Sequence, residues 1–219
     1  MFKYGIILAA GNGSRMLPLT EYVPKPLIKY NGVELISNGI NFLKKNSVSN
    51  IIITYGYMSD KLISFVEKKV DCMINTTNQD NAYFLFNSMV KYIDDAIILM
   101  PCDIIFDIDI DMLYREYFDL NSPPILIVPV KSEVEIDSDF LTIGDYNNVD
   151  NIGRVSKHSG NMYASGIQII NPKKINDIIQ PHQNFYGVWK ELIYKKEVKI
   201  SNIYLKNWIS IDSFKEINI

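Results

Sequence analysis

The chain has 219 residues, 47% of them hydrophobic, and a net charge of −3. That length suits one α/β domain with a substantial core, the weakly acidic balance argues against a general nucleic-acid binder, and the apolar runs are strand-sized, well short of a membrane span. Two cysteines, Cys72 and Cys102, and two histidines, His158 and His182, are too few for a zinc site and supply no disulfide framework.

Residues 4–9 form the first apolar run, of the kind that makes a fully buried strand. Met1-Phe-Lys leads straight into it, so no signal peptide and a cytoplasmic location are expected. The strand turns at once into Ala10-Gly-Asn-Gly-Ser14. Gly11 and Gly13 lack a Cβ, which lets the backbone take positive φ and approach an anionic ligand closely. Arg15 adds a planar cationic fork. Pro24 and Pro26 stiffen the chain on either side of Lys25 and favour one defined place for its ammonium group. A strand that feeds such a loop offers two cations and a set of amides to a polyphosphate. The Walker loop does not fit, because Gly13-Ser14-Arg15 stands where Gly-Lys-Ser/Thr is needed. The dinucleotide fingerprint fails too, since Met16 replaces its third glycine.

Leu8-Ala-Ala-Gly-Asn-Gly-Ser-Arg-Met16, followed by Pro24-Lys-Pro-Leu27 and a polar turn with Gly32, closely resembles the signature of the nucleotidyltransferases that join a nucleoside triphosphate to a sugar 1-phosphate or to phosphocholine. The resemblance runs over nearly the whole chain, strongest in residues 5–29, clear at 96–103 and thinner at 157–166 and 208–216. It implies a GT-A-like fold: a single Rossmann-like three-layer α/β/α domain with a mixed, mostly parallel central sheet and a small acceptor-binding lobe. It also implies a magnesium ion, and nucleotide contacts from Leu8, Ala9, Ala10, Gly11, Asn12, Gly13 and Ser14.

Further along, Leu35, Ile36, Gly39, Ile40 and Leu43 recur at helical spacing over residues 33–45. A strand is expected at 51–54, a helix at 59–69 and a short strand at 72–74. The alternation favours a parallel sheet covered on both faces. Asn75-Thr-Thr-Asn-Gln-Asp-Asn81 follows a strand end, where open α/β sheets hold ligands, and its amides can donate to and accept from a base edge; it can equally be a solvated loop ahead of a helix at 82–92. In the resembled family this region reads the nucleobase, which implicates Asn78, Gln79 and Asn81. The glutamine-glycine pattern of the uridylyl and thymidylyl branches is absent, and Asn81 before a helix is similar to the phosphocholine cytidylyltransferase branch. UTP and CTP are the expected donors.

Residues 96–103 read as a strand ending in Cys102-Asp103, whose carboxylate at the carboxyl edge of a central strand suits magnesium, or a plain turn. The resemblance places the metal at Asp103 and nucleotide contact at Cys102. Asp107, Asp109 and Asp111 read as loop and first-turn carboxylates of a helix at 112–118. A strand at 124–130 and an acidic, irregular hairpin or lobe at 131–151 come next. Strand character returns at 154–157 and 163–172. By resemblance Lys157 touches the acceptor phosphate, although Ser156 stands where glutamate is usual and a solvent-facing lysine is an equal reading. Ala164-Ser165-Gly166 matches a small-residue turn lining the acceptor pocket, and Tyr163 either stacks on the acceptor or belongs to the core. Helices at 173–179 and 185–195 cover the sheet, with Trp189 as packing. After a strand at 198–204, residues 208–216 are similar to the family's closing segment, in which Asp212 is a second magnesium ligand or, in the plainer reading, a helix cap. Ser210 occupies a position often acidic in relatives, which leaves Asp103 and Asp212 as the metal pair.

One nucleotidyltransferase domain over 1–219 is therefore expected, with residues 1–105 as the nucleotide-binding half and 106–219 as the acceptor-binding half and closing segment. The implied reaction moves a nucleotidyl group from a nucleoside triphosphate to a sugar 1-phosphate, giving a nucleotide sugar and pyrophosphate. Arg15 would hold the β,γ-phosphates, and Lys25 the α-phosphate and the attacking phosphate. Phosphocholine or a similar small phosphate is the alternative acceptor, and a non-catalytic nucleotide-binding regulatory protein is the alternative class. Nucleic acid and membrane are not expected as partners, while a homo-oligomer is compatible with the chain.

Overall fold

The apolar run near the amino terminus forms β1 (Tyr4–Leu8), the strand on which the rest of the sheet is registered. The computed structural model describes residues 1–132, 136, 138–154 and 161–217. After β1 the chain makes a small hairpin, β2 (Lys29–Tyr30) and β3 (Val33–Glu34), then α1 (Leu35–Lys45), β4 (Asn50–Tyr55), α2 (Ser59–Val66) and β5 (Cys72–Asn75). The order continues with α3 (Tyr83–Asn87), β6 (Ile97–Pro101), β7 (Ile104–Asp107), α4 (Ile110–Asp119) and β8 (Ile125–Lys131). It closes with β9 (Phe140–Ile143), β10 (Val149–Gly153), β11 (Met162–Ile170), α5 (Pro172–Ile178), α6 (Phe185–Tyr194), β12 (Val198–Ile200) and β13 (Lys206–Ser210).

Among the described residues these strands make a mixed sheet ordered β10-β9-β11-β6-β1-β4-β5, with β8 beside β11 and β12 beside β8. The β6-β1-β4-β5 part is parallel, with Leu8 opposite both Thr54 and Pro101. That register brings the carboxyl ends of three strands to one edge, where ligands of open α/β sheets bind. Antiparallel β11 joins this part to β8 and β9.

Period-two alternation divides the core between the two faces. Ile7, Ile53, Ile98 and Met100 face one way, against Ile36, Ile40 and Leu43 of α1, Leu62 of α2 and Leu113 of α4. Ile6, Ile52, Ile97 and Leu99 face the other, against Phe84 of α3, Ile175 of α5 and Phe185, Val188 and Leu192 of α6. Each fully buried side chain of this size contributes about 1.5–3 kcal/mol, so both helical layers are held by hydrophobic burial. No helix among the described residues is long and apolar enough to cross a membrane.

Several expected elements differ in detail. The helix expected over 82–92 breaks at Ser88, whose backbone is extended (φ −124°, ψ 176°) and whose side chain caps a separate turn at Met89–Tyr92 by accepting from the Val90 N–H. Asp109 caps α4 by accepting from the Asp111 and Met112 N–H groups, while Asp107 ends β7 and is not a loop residue. Ala164-Ser165-Gly166 is no turn but an irregularity within β11: its pairing with β8 shifts register between Ala164 and Gln168, and Ser165 Oγ donates to the Val128 carbonyl at 2.6 Å. Gly166 has φ 90°, and a Cβ there would lie 2.8 Å from Pro101 Cγ, so both backbone and space require glycine.

Candidate active site

The loop after β1 is held from behind. The Ala9 N–H donates to Thr54 Oγ1 at 3.2 Å, the Tyr57 N–H to the Ala10 carbonyl at 3.1 Å, and Thr20 Oγ1 to the Gly13 carbonyl at 3.1 Å. Gly13 has φ 62° at the start of a turn over Ser14–Met16, and a Cβ on it would lie 2.9 Å from Lys25 Cβ. Lys25 therefore packs directly on the loop, as the first residue of a turn over Lys25–Leu27 that Pro24 enters in extended conformation and Pro26 continues. Gly11 differs from expectation: its φ is not positive, and a Cβ there would meet nothing within 4 Å. The fold does not demand glycine at that point, and the space beside it belongs to the ligand hollows described below.

The carboxylates arrive from two other elements. Asp103 follows β6 by two residues, at the edge set by the Leu8–Pro101 register. Asp212 is brought to it by pairing of β13 with β7, extended by the Ile211 N–H donating to the Asp103 carbonyl at 2.9 Å. The turn carrying Asp212 is fixed by Glu216, which accepts from the Asp212 and Ser213 N–H groups at 2.5 and 2.6 Å. Ser213 and Glu216 form the capping box of the last turn, so Asp212 is not its cap.

Four charged side chains meet here. Lys25 Nζ donates to Asp103 and, at 2.9 Å, to Asp212 Oδ1, which also accepts from Arg15 Nη2 at 2.9 Å. Ser210 Oγ donates to Asp212 Oδ2 at 2.7 Å, so this serine supports the carboxylate. Burial on its own would lower the Lys25 pKa, but Asp103 and then Asp212 outweigh it and hold the ammonium above its ordinary range. Burial would likewise raise the Asp212 pKa, yet the Ser210 hydroxyl, Lys25 and Arg15 hold it below the usual carboxylate range. Burial pushes the Cys102 thiol up, which keeps it protonated and unsuited to nucleophilic work.

Two adjoining hollows of about 430 and 410 Å³ open along this edge and share Leu8, Gly11 and Asn81. Each is of ligand-pocket size. One contains Ala9, Asn12, Gly13, Ser14, Arg15, Lys25, Cys102, Asp103 and Asp212, and is the charged one. Ala10 and Gln79 line the other, together with Thr54, Thr76, Asp80, Phe84 and Asn184. The expected nucleotide residues are thus gathered at one edge, except Asn78, which is exposed and lines neither hollow.

The acceptor residues fare differently. Tyr163 is 5% exposed, lines neither hollow, and packs edge-on against Phe140 with centroids 5.7 Å apart; it is a core residue, not a ligand platform. Gly166 lines neither hollow, although it packs against Pro101, which lines the charged one. Lys157 lies outside the described residues, as does Ser156.

Asp80, Thr54, Thr76 and Asn184 are pocket residues that sequence reasoning did not single out. Thr54 lies one residue before the end of β4, opposite Leu8 of β1, and Asp80 sits within the polar run already noted, so both carried a signal. Asn184 carried only the mark of a helix cap. With Asp212, it also shows that residues beyond 105 help to line the two hollows.

Among the described residues no three His, Cys, Asp or Glu side chains are grouped to hold a metal ion by themselves. Two carboxylates converging on one ammonium, beside a glycine loop and Arg15, nevertheless fit magnesium, which takes one or two protein carboxylates and completes its shell with phosphate oxygens and water.

A family model for the MobA-like NTP transferase domain matches residues 5–137. The chain is 44% identical over 63 residues to a choline-phosphate cytidylyltransferase of Streptococcus pneumoniae, covering 29% of this chain and 28% of that protein. It is 31% identical over 110 residues to a CTP:phosphoglutamine cytidylyltransferase of Campylobacter jejuni, covering 46% and 44%. In those matches the chain spans less than half the length of the curated relatives. The solved structure of a CTP:phosphocholine cytidylyltransferase from Streptococcus pneumoniae superposes with a TM-score of 0.78 at 24% identity, over 100% of this chain and 97% of that one, which shows a shared fold.

Proposed function

The chain belongs to the MobA-like NTP transferase domain family, and from that premise we propose that it transfers the cytidylyl group of CTP to a small phosphorylated acceptor with release of pyrophosphate. The observation that carries this reading is the meeting of Arg15, Lys25, Asp103 and Asp212 beside the glycine loop. Cations for phosphate oxygens and carboxylates for a hard metal ion are what nucleotidyl transfer needs. Relatives named for cytidylyl transfer to choline phosphate and phosphoglutamine support CTP and a compact acceptor.

An acceptor phosphate oxygen attacks the α-phosphorus of the triphosphate. As that O–P bond forms, the bond from the α-phosphorus to the oxygen bridging to the β-phosphate breaks, and its electron pair departs with pyrophosphate. The acceptor phosphate is already anionic near neutral pH, so no side chain has to remove a proton. Lys25, held protonated by two carboxylates, neutralises charge on the α-phosphate and draws the attacking phosphate to it. Arg15, whose side chain is half-exposed at the hollow's mouth, holds the β,γ-phosphates. Asp103 and Asp212 are the residues that would hold magnesium, and a bound ion there supplies charge neutralisation across the triphosphate. On this reading residues 1–105 supply most of the nucleotide site, and the remainder supplies the acceptor side and the closing segment.

A second reading, transfer to a sugar 1-phosphate from UTP or CTP, is favoured by Gly166, whose bare backbone sits against Pro101, a lining residue of the charged hollow. A matrix of five triphosphates against phosphocholine, phosphoglutamine and several sugar 1-phosphates, assayed for magnesium-dependent pyrophosphate release, separates the two. Release from CTP with a small phosphate is expected. Release confined to sugar 1-phosphates would establish the second reading, and no release from any pair would overturn both.

A further inference from the structure

The hollow lined by Asp80, Asn81 and Asn184 is bordered by a strap from the far end of the chain, Gln183-Asn184-Phe185, whose backbone and side chains grip the loop at residues 80–82. The Ala82 N–H donates to the Gln183 carbonyl at 2.9 Å, the Phe185 N–H to Asn81 Oδ1 at 2.9 Å, and Asn184 Nδ2 reaches Asp80 Oδ2 at 3.4 Å. Below the strap the Phe84 and Phe185 rings lie 6.3 Å apart in the core, which anchors both sides.

These bonds determine which polar atoms remain for a ligand. Asn81 uses its carbonyl oxygen on Phe185, so its amide nitrogen is left as a donor. Asn184 uses its carbonyl oxygen to cap α6, accepting from the Gly187 N–H at 3.0 Å, and gives one amide N–H to Asp80, which leaves its second N–H as a donor. Asp80 as a carboxylate only accepts. Asp80, Asn81 and Asn184 all line the same hollow. An acceptor with an amide donor beside it complements a base edge on which an exocyclic amino group stands beside a ring acceptor. Cytosine has that edge, with its N4 amino group next to N3 and O2. Uracil puts a carbonyl oxygen where the amino group would be, opposite the carboxylate.

We infer that Asp80 and Asn184 are nucleobase-specificity residues, which accept the exocyclic amino group and donate to the neighbouring ring acceptor, and that the strap from the second half of the chain sets this preference. This rests on the reading that the hollows bind a nucleoside triphosphate. Asp80 is the direct reader. Asn184 both reads and positions, because its side chain orients the Asp80 carboxylate.

Equilibrium binding of CTP and UTP to the full chain, measured by calorimetry in the presence of magnesium and without acceptor, tests the inference apart from turnover. Wild type should prefer CTP by about tenfold or more, the range in which a single well-placed base contact discriminates. Asp80→Asn can turn an amide N–H toward the uracil O4 and should bring the CTP:UTP ratio to about one or below. Asn184→Ser keeps a good helix cap and replaces the amide donor with a shorter hydroxyl, so it should reduce the ratio while leaving the melting temperature near wild type. A wild-type protein that binds CTP and UTP alike, or an unchanged ratio in both variants of a protein that binds CTP, would overturn the inference and leave the nucleotide reading standing. If wild type bound none of the common triphosphates, the nucleotide reading itself would fall and take the inference with it.

Discussion

Lys25 Nζ donates to both Asp103 and Asp212, joining positions 78 and 187 residues further along the chain at one ammonium group. The side chains of all three are less than one fifth exposed, which makes the arrangement partly desolvated and electrostatically strong. Its physical consequence is that the chain's closing segment, the strand-end aspartate and the glycine loop cannot be perturbed independently.

Removing the ammonium leaves two carboxylates facing one another. Lys25→Ala should lower turnover by about a thousandfold or more, in line with the loss of a cation at a transferring phosphoryl group. It should cost about 2 kcal/mol of stability, less than a fully buried pair because water still reaches the site. Steady-state kinetics and thermal melting read the two effects separately, and the variant should still fold.

Asp103→Asn and Asp212→Asn should each abolish magnesium-dependent turnover, because either leaves a single carboxylate for the metal. A magnesium titration of pyrophosphate release checks this for each variant. An unchanged titration curve in Asp212→Asn would remove that residue from the metal site.

The two loop glycines should separate folding from binding. Gly13→Ala forces a Cβ to within 2.9 Å of Lys25 Cβ at a φ of 62°, so it should destabilise by about 1–3 kcal/mol. Gly11→Val meets open space, and should change stability by less than about 0.5 kcal/mol. The same change should weaken CTP binding about tenfold or more, equivalent to about 1.4 kcal/mol. Melting temperature against nucleotide affinity for the pair is the check.

Stability should also carry the signature of the ion pairs at both ends of the pH scale. Asp212 is held below the ordinary 3.8, so its contribution is present above that value and is lost as pH falls through the lower, folded pKa. Lys25 is held above the ordinary 10.5, so its contribution is present below that value and is lost as pH rises through the higher, folded pKa. Melting curves between these limits should be level as far as this cluster is concerned. Asp212→Asn should flatten the acid arm, and Lys25→Met the alkaline arm.

Much of this was legible in the sequence because it is local. An apolar run entering Gly-Asn-Gly-Ser, and another ending in Cys102-Asp103, each state a strand and its carboxyl end, and parallel pairing then puts both ends at one edge. Lys25 between two prolines was legible for the same reason. Contacts made across the chain were not. Asn184 reads as a helix cap until the strap closes on Asp80, 104 residues earlier. Tyr163 sits in a strand where successive side chains alternate between faces, and only the register with β8 and β9 turns its ring onto Phe140. Ser88 broke an expected helix because its hydroxyl caps the next turn and also donates to the Phe84 carbonyl at 2.7 Å, a local competition that hydrophobic spacing does not register.

Single-turnover pyrophosphate release from CTP, with excess enzyme, magnesium and a small phosphorylated acceptor, compared between wild type and Lys25→Ala, probes most directly whether this charged cluster performs the chemistry. Rapid magnesium-dependent release by wild type, slowed by about a thousandfold in the variant, is the predicted result. Release at near wild-type rates without the lysine would contradict it.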